Sequence, residues 1–403
     1  MKQQFFSGNR QRLATSQQRG GLFVLSAYSQ MQRGNDTAFA FEQEANFWWL
    51  TGVTAPDWWL IFDGIQHKSW LVAPHVSQSH EIFDGSLSFD DAKAMSGVDE
   101  VISREDADNL LRRLARTHSV VYGLGDDPYM SYFDFTVNPA QRELWHKLER
   151  VFNSVQDCRK QLARLRALKQ PEEIIAMKRA INLTTAAFAD IKPRISAMKY
   201  EYEVEAEFSH YFRSRGAAGH AYDPIVAGGH NACTLHYVAN NDRLKKRDLL
   251  LLDIGARVDG YTADVTRTYV LSEPNKRQAA VHEAVAAAQQ QIIALLRPEL
   301  SVEDYQRQVD EIMKQALLSL GLMSGEDDAK NYRKYFPHAV SHGLGVDVHD
   351  SLGAPKFLEP GMVLTVEPGI YIPEENIGVR IEDDILITDS GHTNLSGRLS
   401  TDC

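Results

Sequence analysis

Cysteine is scarce in this sequence. Only Cys158, Cys233 and Cys403 occur in 403 residues, odd in number, far apart and without a C-x-x-C pair. That excludes a disulfide framework and a thiolate zinc site, and it fits a reducing compartment. Positive charge is also short: 43 Lys and Arg against 54 Asp and Glu leave a formal net charge of -11. A nucleic-acid binder needs clustered Lys and Arg to displace counterions from phosphates, so that class is set aside. The acidic excess reads as solubility, with part of it available to neutralise a bound cation. No apolar run reaches the length of a bilayer crossing. The opening residues, Met1-Lys2-Gln3-Gln4-Phe5-Phe6-Ser7-Gly8, carry no apolar signal-peptide region. The expectation is a cytoplasmic protein with neither nucleic acid nor membrane as partner. What remains is a globular composition, 43% hydrophobic and 24% charged, long enough for two or three domains.

Residues up to about Val155 read as an alternating α/β unit. Gly21 to Tyr28 and Ser119 to Tyr122 are apolar strand candidates, and Trp58 to Phe62 and Trp70 to Ala73 flank the hairpin signal Asp63-Gly64. Pro139 opens a helix. This unit offers no nucleophile constellation and no phosphate-cradling glycine loop, so it reads as scaffold or gate. Trp48, Trp49, Trp58 and Trp59 read as core or subunit packing. After a basic helical stretch, Arg159 to Lys169, the pattern changes at Pro171. Two helices follow, about Pro171 to Ile191 and Tyr202 to Arg215, then strands at Pro224 to Ala227, Leu249 to Ile254 and Thr262 to Leu271. The order recurs: helices from Lys276 and after Ser301, then strand-like segments around Ser341 to Asp347, Met362 to Glu367 and Val379 to Ile387. A unit repeated at an offset of roughly a hundred residues points to a duplicated half-domain.

Acidic residues sit in costly places within that repeat. Asp253 ends the wholly apolar run Leu249-Leu250-Leu251-Leu252, where an unpaired carboxylate is expensive to bury. Asp259-Gly260 is a strong two-residue turn. If it closes a hairpin, Asp253 faces Thr266, and Asp264 lies two residues along on the same face. Like charges so close call for something positive between them. His342, Glu367 and Glu382 are further candidates from the second repeat. Taken singly, each is more often a capped or salt-bridged residue than a ligand. Taken together, four carboxylates and one imidazole favour Mn²⁺ or another hard first-row dication, and four negative charges balance two such ions.

The ordered segments Leu252-Asp253-Ile254-Gly255, Tyr261 to Thr268, Ser341-His342-Gly343-Leu344-Gly345, Asp347-Val348-His349-Asp350, Gly361 to Tyr371 and Val379 to Asp384 resemble the proline-specific metallopeptidases, aminopeptidase P and prolidase. The resemblance covers nearly all of Pro171 to Ser390, and Phe41 to Gly52 extends it to a creatinase-type N-terminal domain. It implies an α/β N-terminal domain over residues 1–158. Residues 159–403 would form an α+β catalytic domain of pita-bread fold with a pseudo-two-fold internal repeat. It implies that Asp253 chelates one metal, His342 and Glu367 bind the other, and Asp264 and Glu382 bridge the two. The ions would be Mn²⁺, with Co²⁺ or Zn²⁺ as substitutes. His236 and His349 match histidines facing the scissile carbonyl and the proline, Tyr222 and Tyr371 match tyrosines near substrate and metals, and Arg380 matches an arginine near the substrate. Glu367 would relay a proton to the leaving proline nitrogen.

The implied activity is that of an Xaa-Pro aminopeptidase acting on X-Pro peptides, organised as a homodimer or homotetramer. An Xaa-Pro dipeptidase is the alternative, and a catalytically dead pita-bread binding protein is a third reading disfavoured because all five ligand positions are filled. Methionine aminopeptidase is disfavoured by the extra N-terminal domain. Two positions depart from the family pattern. Phe83 stands where many members carry a tryptophan that reaches a neighbouring subunit, and Ser351 to Leu358 lacks an arginine, leaving Lys356 as its substitute.

Overall fold

The computed structural model describes residues 1–17, 20–126 and 136–403. The chain divides into two compact units, Met1–Leu165 and Arg166–Cys403, the division falling within the helix Arg159–Ala167.

The first unit is built on a six-stranded mixed sheet in the order β4-β3-β2-β1-β5-β6. Its strands are β1 (Leu22–Ser26), β2 (Trp59–Asp63), β3 (Lys68–Val72), β4 (Glu100–Ile102), β5 (Val120–Gly123) and β6 (Ser154–Asp157). The apolar β1 is buried at every residue, as a central strand covered on both faces must be. The hairpin expected at Asp63-Gly64 forms, but not as a two-residue turn. Asp63 pairs with Lys68, and its carboxylate accepts the N–H groups of Ile65 and Gln66, both at 3.0 Å, inside the longer loop. Trp48, Trp49 and Trp58 are buried in the unit's interior, and Arg104 lies 3.5 Å over the Trp59 ring. Phe83 ends the helix Gln78–Phe83 and is 84% exposed.

In the second unit the helix pair Pro171–Ile191 and Glu201–Ser214 recurs as Lys276–Leu295 and Val302–Ser319. Pro171 occupies the first turn of its helix, where a missing N–H costs nothing, and Ser301 caps the last by accepting from Asp304 N. Each pair is followed by strands. The first set is β7 (Gly219–His220), β8 (Ile225–Gly228), β9 (Leu249–Asp253), β10 (Ala256–Val258), β11 (Tyr261–Thr262) and β12 (Thr266–Val270). The second is β13 (Val363–Val366), β14 (Gly369–Ile372), β15 (Ile377–Arg380), β16 (Asp383–Thr388) and β17 (Gly391–Asn394). The central three-stranded sheets are β12-β9-β8 and β13-β16-β17. Each half has its own apolar core, one centred on Phe188, Phe208 and Phe212, the other on Val285, Met313 and Ile385.

Asp259 (φ 53°) and Gly260 (φ 84°) form the expected two-residue turn, with Val258 opposite Tyr261. The register then places Thr266 opposite Asp253, as the turn dictates. The strand expected to run unbroken from Thr262 to Leu271 is, however, interrupted between Thr262 and Thr266. Asp264 N donates to the Asp384 side chain (3.2 Å) rather than to a strand neighbour. The strand expected from Val379 to Ile387 also breaks, because Glu382 N donates to Thr266 O at 3.0 Å and draws Glu382 toward the first half. Among the described residues no helix is long and apolar enough to cross a membrane.

Gly255 makes the first break possible, since a Cβ there would lie 1.8 Å from Ala263 O. Gly255→Ala is therefore expected to cost at least about 3 kcal/mol, because the clash is with backbone and not with a side chain that can swing away. Urea denaturation checks this; a midpoint near wild type would show that the two segments separate freely.

Candidate metal centre

Each carboxylate of interest stands where a strand ends. Asp253 is the last residue of β9, Asp264 lies between β11 and β12, Glu367 between β13 and β14, and Glu382 between β15 and β16. A ladder break frees a side chain from strict alternation, so carboxylates from four segments can converge. His342 comes from an irregular segment tied to β13 by Thr365 N donating to His342 O at 2.9 Å. Ligand atoms of Asp264, His342 and Glu382 lie within 4.8 Å of one another. His342 Nε2 is 3.4 Å from Glu367 Oε1 and 3.5 Å from Asp264 Oδ2. Tyr222 Oη lies 2.6 Å from Oδ1 of both Asp253 and Asp264, which links Asp253 to the group. The structure thus brings together all five residues singled out from the sequence.

The arrangement is short of positive charge. Asp253, Asp264 and Glu382 are buried. Burial first, then Asp253 and Asp384, pushes the Asp264 carboxyl well above its usual range. Burial, then Asp264 and Glu367, does the same to Glu382. Glu367 is pushed up to about 8 by burial and by Asp253, with Arg380 opposing. Tyr222 has a single hydrogen for two carboxylate oxygens, so it satisfies one at a time. Burial works against the Arg380 cation, yet Tyr371, Asp253, Glu382 and Glu367 hold its pKa well above the ordinary value.

The imidazole of His342 shows that a cation fits. Its Nδ1 lies 3.0 Å from Gly343 O, and a carbonyl only accepts, so Nδ1 carries the hydrogen. Burial pushes its pKa down to about 4, leaving Nε2 unprotonated near neutral pH. Its lone pair therefore points at oxygens of Asp264 and Glu367, 3.5 and 3.4 Å away. A divalent metal would fit this donor set, because an imidazole oriented through its other nitrogen is the form that ligates.

The remaining residues expected at the site divide into two groups. His349 packs against His342 with ring centroids 4.4 Å apart, and both His349 and His236 are exposed. Both electrostatically influence the neighbouring histidines: His349 acts on His342, and His236 on His338 and His349. Arg380 faces inward. Its guanidinium is buried and donates to Asp253 Oδ2 (2.5 Å), Tyr371 Oη (2.9 Å) and Thr266 Oγ1 (3.3 Å). Tyr371 Oη is in turn 2.8 Å from His338 Nε2.

His338 is not among the site residues marked by the sequence. Its Nδ1 donates to Ala339 O at 2.8 Å, so Nε2 accepts from Tyr371. It stands 3.8 Å from Glu367 Oε2. The sequence marks it only within Phe336-Pro337-His338, a segment whose resemblance favours the aminopeptidase over the dipeptidase without giving the histidine a role. Thr266 was expected only as the residue facing Asp253, yet its Oγ1 donates to Glu382 Oε2 at 2.6 Å.

The Metallopeptidase family M24 model matches residues 175–389, and the model for the aminopeptidase P N-terminal domain matches residues 6–122. The chain belongs to metallopeptidase family M24. Xaa-Pro aminopeptidase from Escherichia coli K12 is 33% identical over 420 residues, covering 98% of this chain and 95% of that protein. Human Xaa-Pro aminopeptidase 3 is 37% identical over 385 residues, covering 90% of this chain and 75% of its own length. Among solved structures, the low-pH form of aminopeptidase P from E. coli superposes with a TM-score of 0.86 at 31% identity, covering 99% and 96% of the two chains. Proline aminopeptidase P II from Yersinia pestis gives 0.84 at 33% identity over 100% and 98%. The two-unit architecture is that of aminopeptidase P, and membership of M24 implies divalent metal ions.

The shifted carboxyls give a pH dependence with a definite sign. Above about 7.5 the unfolded chain has shed its carboxyl protons and nearly all its histidine protons, whereas folded Glu367 loses its proton only around 8. The folded metal-free state therefore binds more protons there, and stability falls as pH rises through about 8. The melting midpoint of the metal-free protein should drop from about pH 7.5 to 8.5, and added Mn²⁺ should abolish the drop by replacing the protons. A flat metal-free profile would show that the carboxylates are neutralised within the protein.

Proposed function

We propose that this protein is an Xaa-Pro aminopeptidase that uses two Mn²⁺ ions, for which Co²⁺ or Zn²⁺ can substitute, to release the residue preceding a proline. The convergence of Asp253, Asp264, His342, Glu367 and Glu382 on one cation-deficient cluster carries this reading. In it Asp253 would hold one ion, His342 and Glu367 would hold the other, and Asp264 and Glu382 would serve both. Four carboxylates and the Arg380 guanidinium leave three negative charges, so two dications overshoot by one and leave room for one small anion. A relative described as Zn-substituted E. coli aminopeptidase P in complex with product, 31% identical with a TM-score of 0.85, supports the range of metals.

Bound metal would supply Lewis acidity and lower the pKa of a water toward neutrality. The protein's own groups do the rest. His349 and His236, exposed beside the cluster, offer N–H donors to the oxygen of the scissile carbonyl as charge develops there. The Glu367 carboxylate carries the proton shed by the nucleophile to the proline nitrogen, which has no hydrogen in the intact bond. His338, Tyr371 and Arg380 form a hydrogen-bonded row that holds Asp253 and flanks Glu367. A dipeptidase needs a cation near the metals for the substrate's own carboxylate. The Arg380 guanidinium is buried and committed to Asp253, Tyr371 and Thr266, which favours longer peptides. We further read the protein as cytoplasmic and as a homodimer or homotetramer. Its three cysteines are free, and Ile82 and Phe83 are exposed at 73% and 84% as surface for a second copy.

Two measurements test this reading. Under Mn²⁺, release of the first residue should be faster from Ala-Pro-X tripeptides and longer substrates than from Ala-Pro or Gly-Pro. A strict preference for dipeptides would transfer the reading to Xaa-Pro dipeptidase. No hydrolysis of either, with no metal after chelator-free purification, would leave a binding protein. Asp264→Asn should lower hydrolysis at least about a hundredfold, since it removes the negative charge shared between the ions. Its metal-free stability should change little or rise, because repulsion with Asp253 is relieved. Near-normal turnover with two metals bound would remove Asp264 from its bridging role.

A further inference from the structure

Behind the cluster lies a second polar assembly that no step of the reaction uses. Arg267 is 1% exposed, and all five of its N–H donors are engaged. Nη1 donates to Thr266 O (2.9 Å) and Glu382 O (2.7 Å). Nη2 donates to Asp383 Oδ1 (2.7 Å) and Leu399 O (2.9 Å), and Nε donates to Ser400 O (3.0 Å). One guanidinium thus joins strand β12, the backbone of Glu382 and the segment near the C-terminus.

The acceptors are themselves held. Asp383 Oδ2 accepts from Gln289 Nε2 and Asn394 Nδ2, both at 2.8 Å, and Oδ1 accepts from Ser396 Oγ at 2.8 Å. Ser396 Oγ also accepts from Asp384 N at 3.0 Å, and Asp384 Oδ2 accepts from Asp264 N at 3.2 Å. The network reaches the backbone of Glu382 through Arg267 and the backbone of Asp264 through Asp384. These are the two residues assigned above as shared between the ions, and both stand at ladder breaks, outside the regular pairing of a strand.

We propose that Arg267, Asp383 and Ser396 are positioning residues that set the direction of the Asp264 and Glu382 carboxylates. On this view the segment Ser396–Ser400 is a working part of the metal centre and not merely a tail. The inference rests on the metal assignment under Proposed function. Partners behind a ligand commonly govern metal affinity by about ten- to a hundredfold when removed. A guanidinium suits the task because its planar fork fixes several acceptors at once, whereas an ammonium offers three donors from a single nitrogen.

The test uses full-length protein, titrating the metal-free form with Mn²⁺ by calorimetry and recording its metal-free melting midpoint. Ser396→Ala should weaken Mn²⁺ binding about tenfold or more while lowering the midpoint no further than Leu399→Ala does, and Arg267→Lys should weaken binding further. Leu399→Ala is the control: it thins the core packed around Leu399 but keeps the carbonyl that Arg267 uses. It should lower the midpoint and leave affinity intact. Wild-type affinity in Ser396→Ala and Arg267→Lys, or equal weakening in Leu399→Ala, would overturn the positioning role. A wild-type protein that binds no Mn²⁺ would instead overturn the metal assignment itself.

Discussion

Four carboxylates share one poorly hydrated site with a single guanidinium, and the surrounding structure is arranged to tolerate that repulsion. Burying like charges is among the most expensive things a fold can do. Arg380 neutralises Asp253, Thr266 donates to Glu382, and Tyr222 offers its one hydrogen to Asp253 and Asp264. None of these supplies a second positive charge. Hydrogen bonds to carboxylates lower the cost without cancelling it, and the elevated pKa of Glu367 measures what is left. A protein indifferent to metal would have no reason to collect these groups in one place.

The same constraint explains which parts of the site were legible in the sequence. The Asp259-Gly260 turn is a local signal, and it set the Asp253–Thr266 pairing correctly because register follows from the turn. A carboxylate closing the run Leu249 to Leu252 was likewise visible as a local conflict. The ladder breaks were not visible. Asp264 leaves its strand because its N–H is taken by Asp384, 120 residues away, and Glu382 leaves because its N–H is taken by the carbonyl of Thr266, 116 residues away, whose hydroxyl also donates to the Glu382 carboxylate. No local pattern encodes a partner so distant. His338 was hidden for a related reason, since it sits in an irregular segment where neither helical nor strand periodicity gives it a face. The sequence also leaves Arg380 ambiguous. An arginine between Val379 and Ile381 is as compatible with a substrate contact as with the inward one that the structure shows.

Duplication gives these breaks their setting. Each half of the second unit has its own apolar core. The halves contribute unequally: Asp253 and Asp264 come from the first, and His342, Glu367 and Glu382 from the second. They are joined where Thr268 Oγ1 donates to Arg380 O (3.0 Å) and Glu382 N donates to Thr266 O (3.0 Å). The candidate ligands therefore line a seam between the two halves, where the strand ladders break.

A seam of this kind couples cation binding to the approach of the halves. Carboxylates on opposite sides of the seam repel one another when ionised, and a divalent cation held by residues of both halves would act across it as a crosslink. Oxygen donors outnumber the single imbalanced nitrogen of His342, which selects a hard dication and disfavours thiolate-seeking metals. Arg380 completes the logic from the second half's side, reaching across to Asp253 of the first. By spending its guanidinium on Asp253, Tyr371 and Thr266, it keeps the ligand set rigid and leaves the open side of the cluster to His236, His338 and His349. Loss of hydration holds His338 to about 4 and His349 below its ordinary value, so these two present neutral imidazoles near pH 7. A neutral imidazole suits an uncharged peptide bond, and a cation at the same place would instead have favoured a free carboxylate.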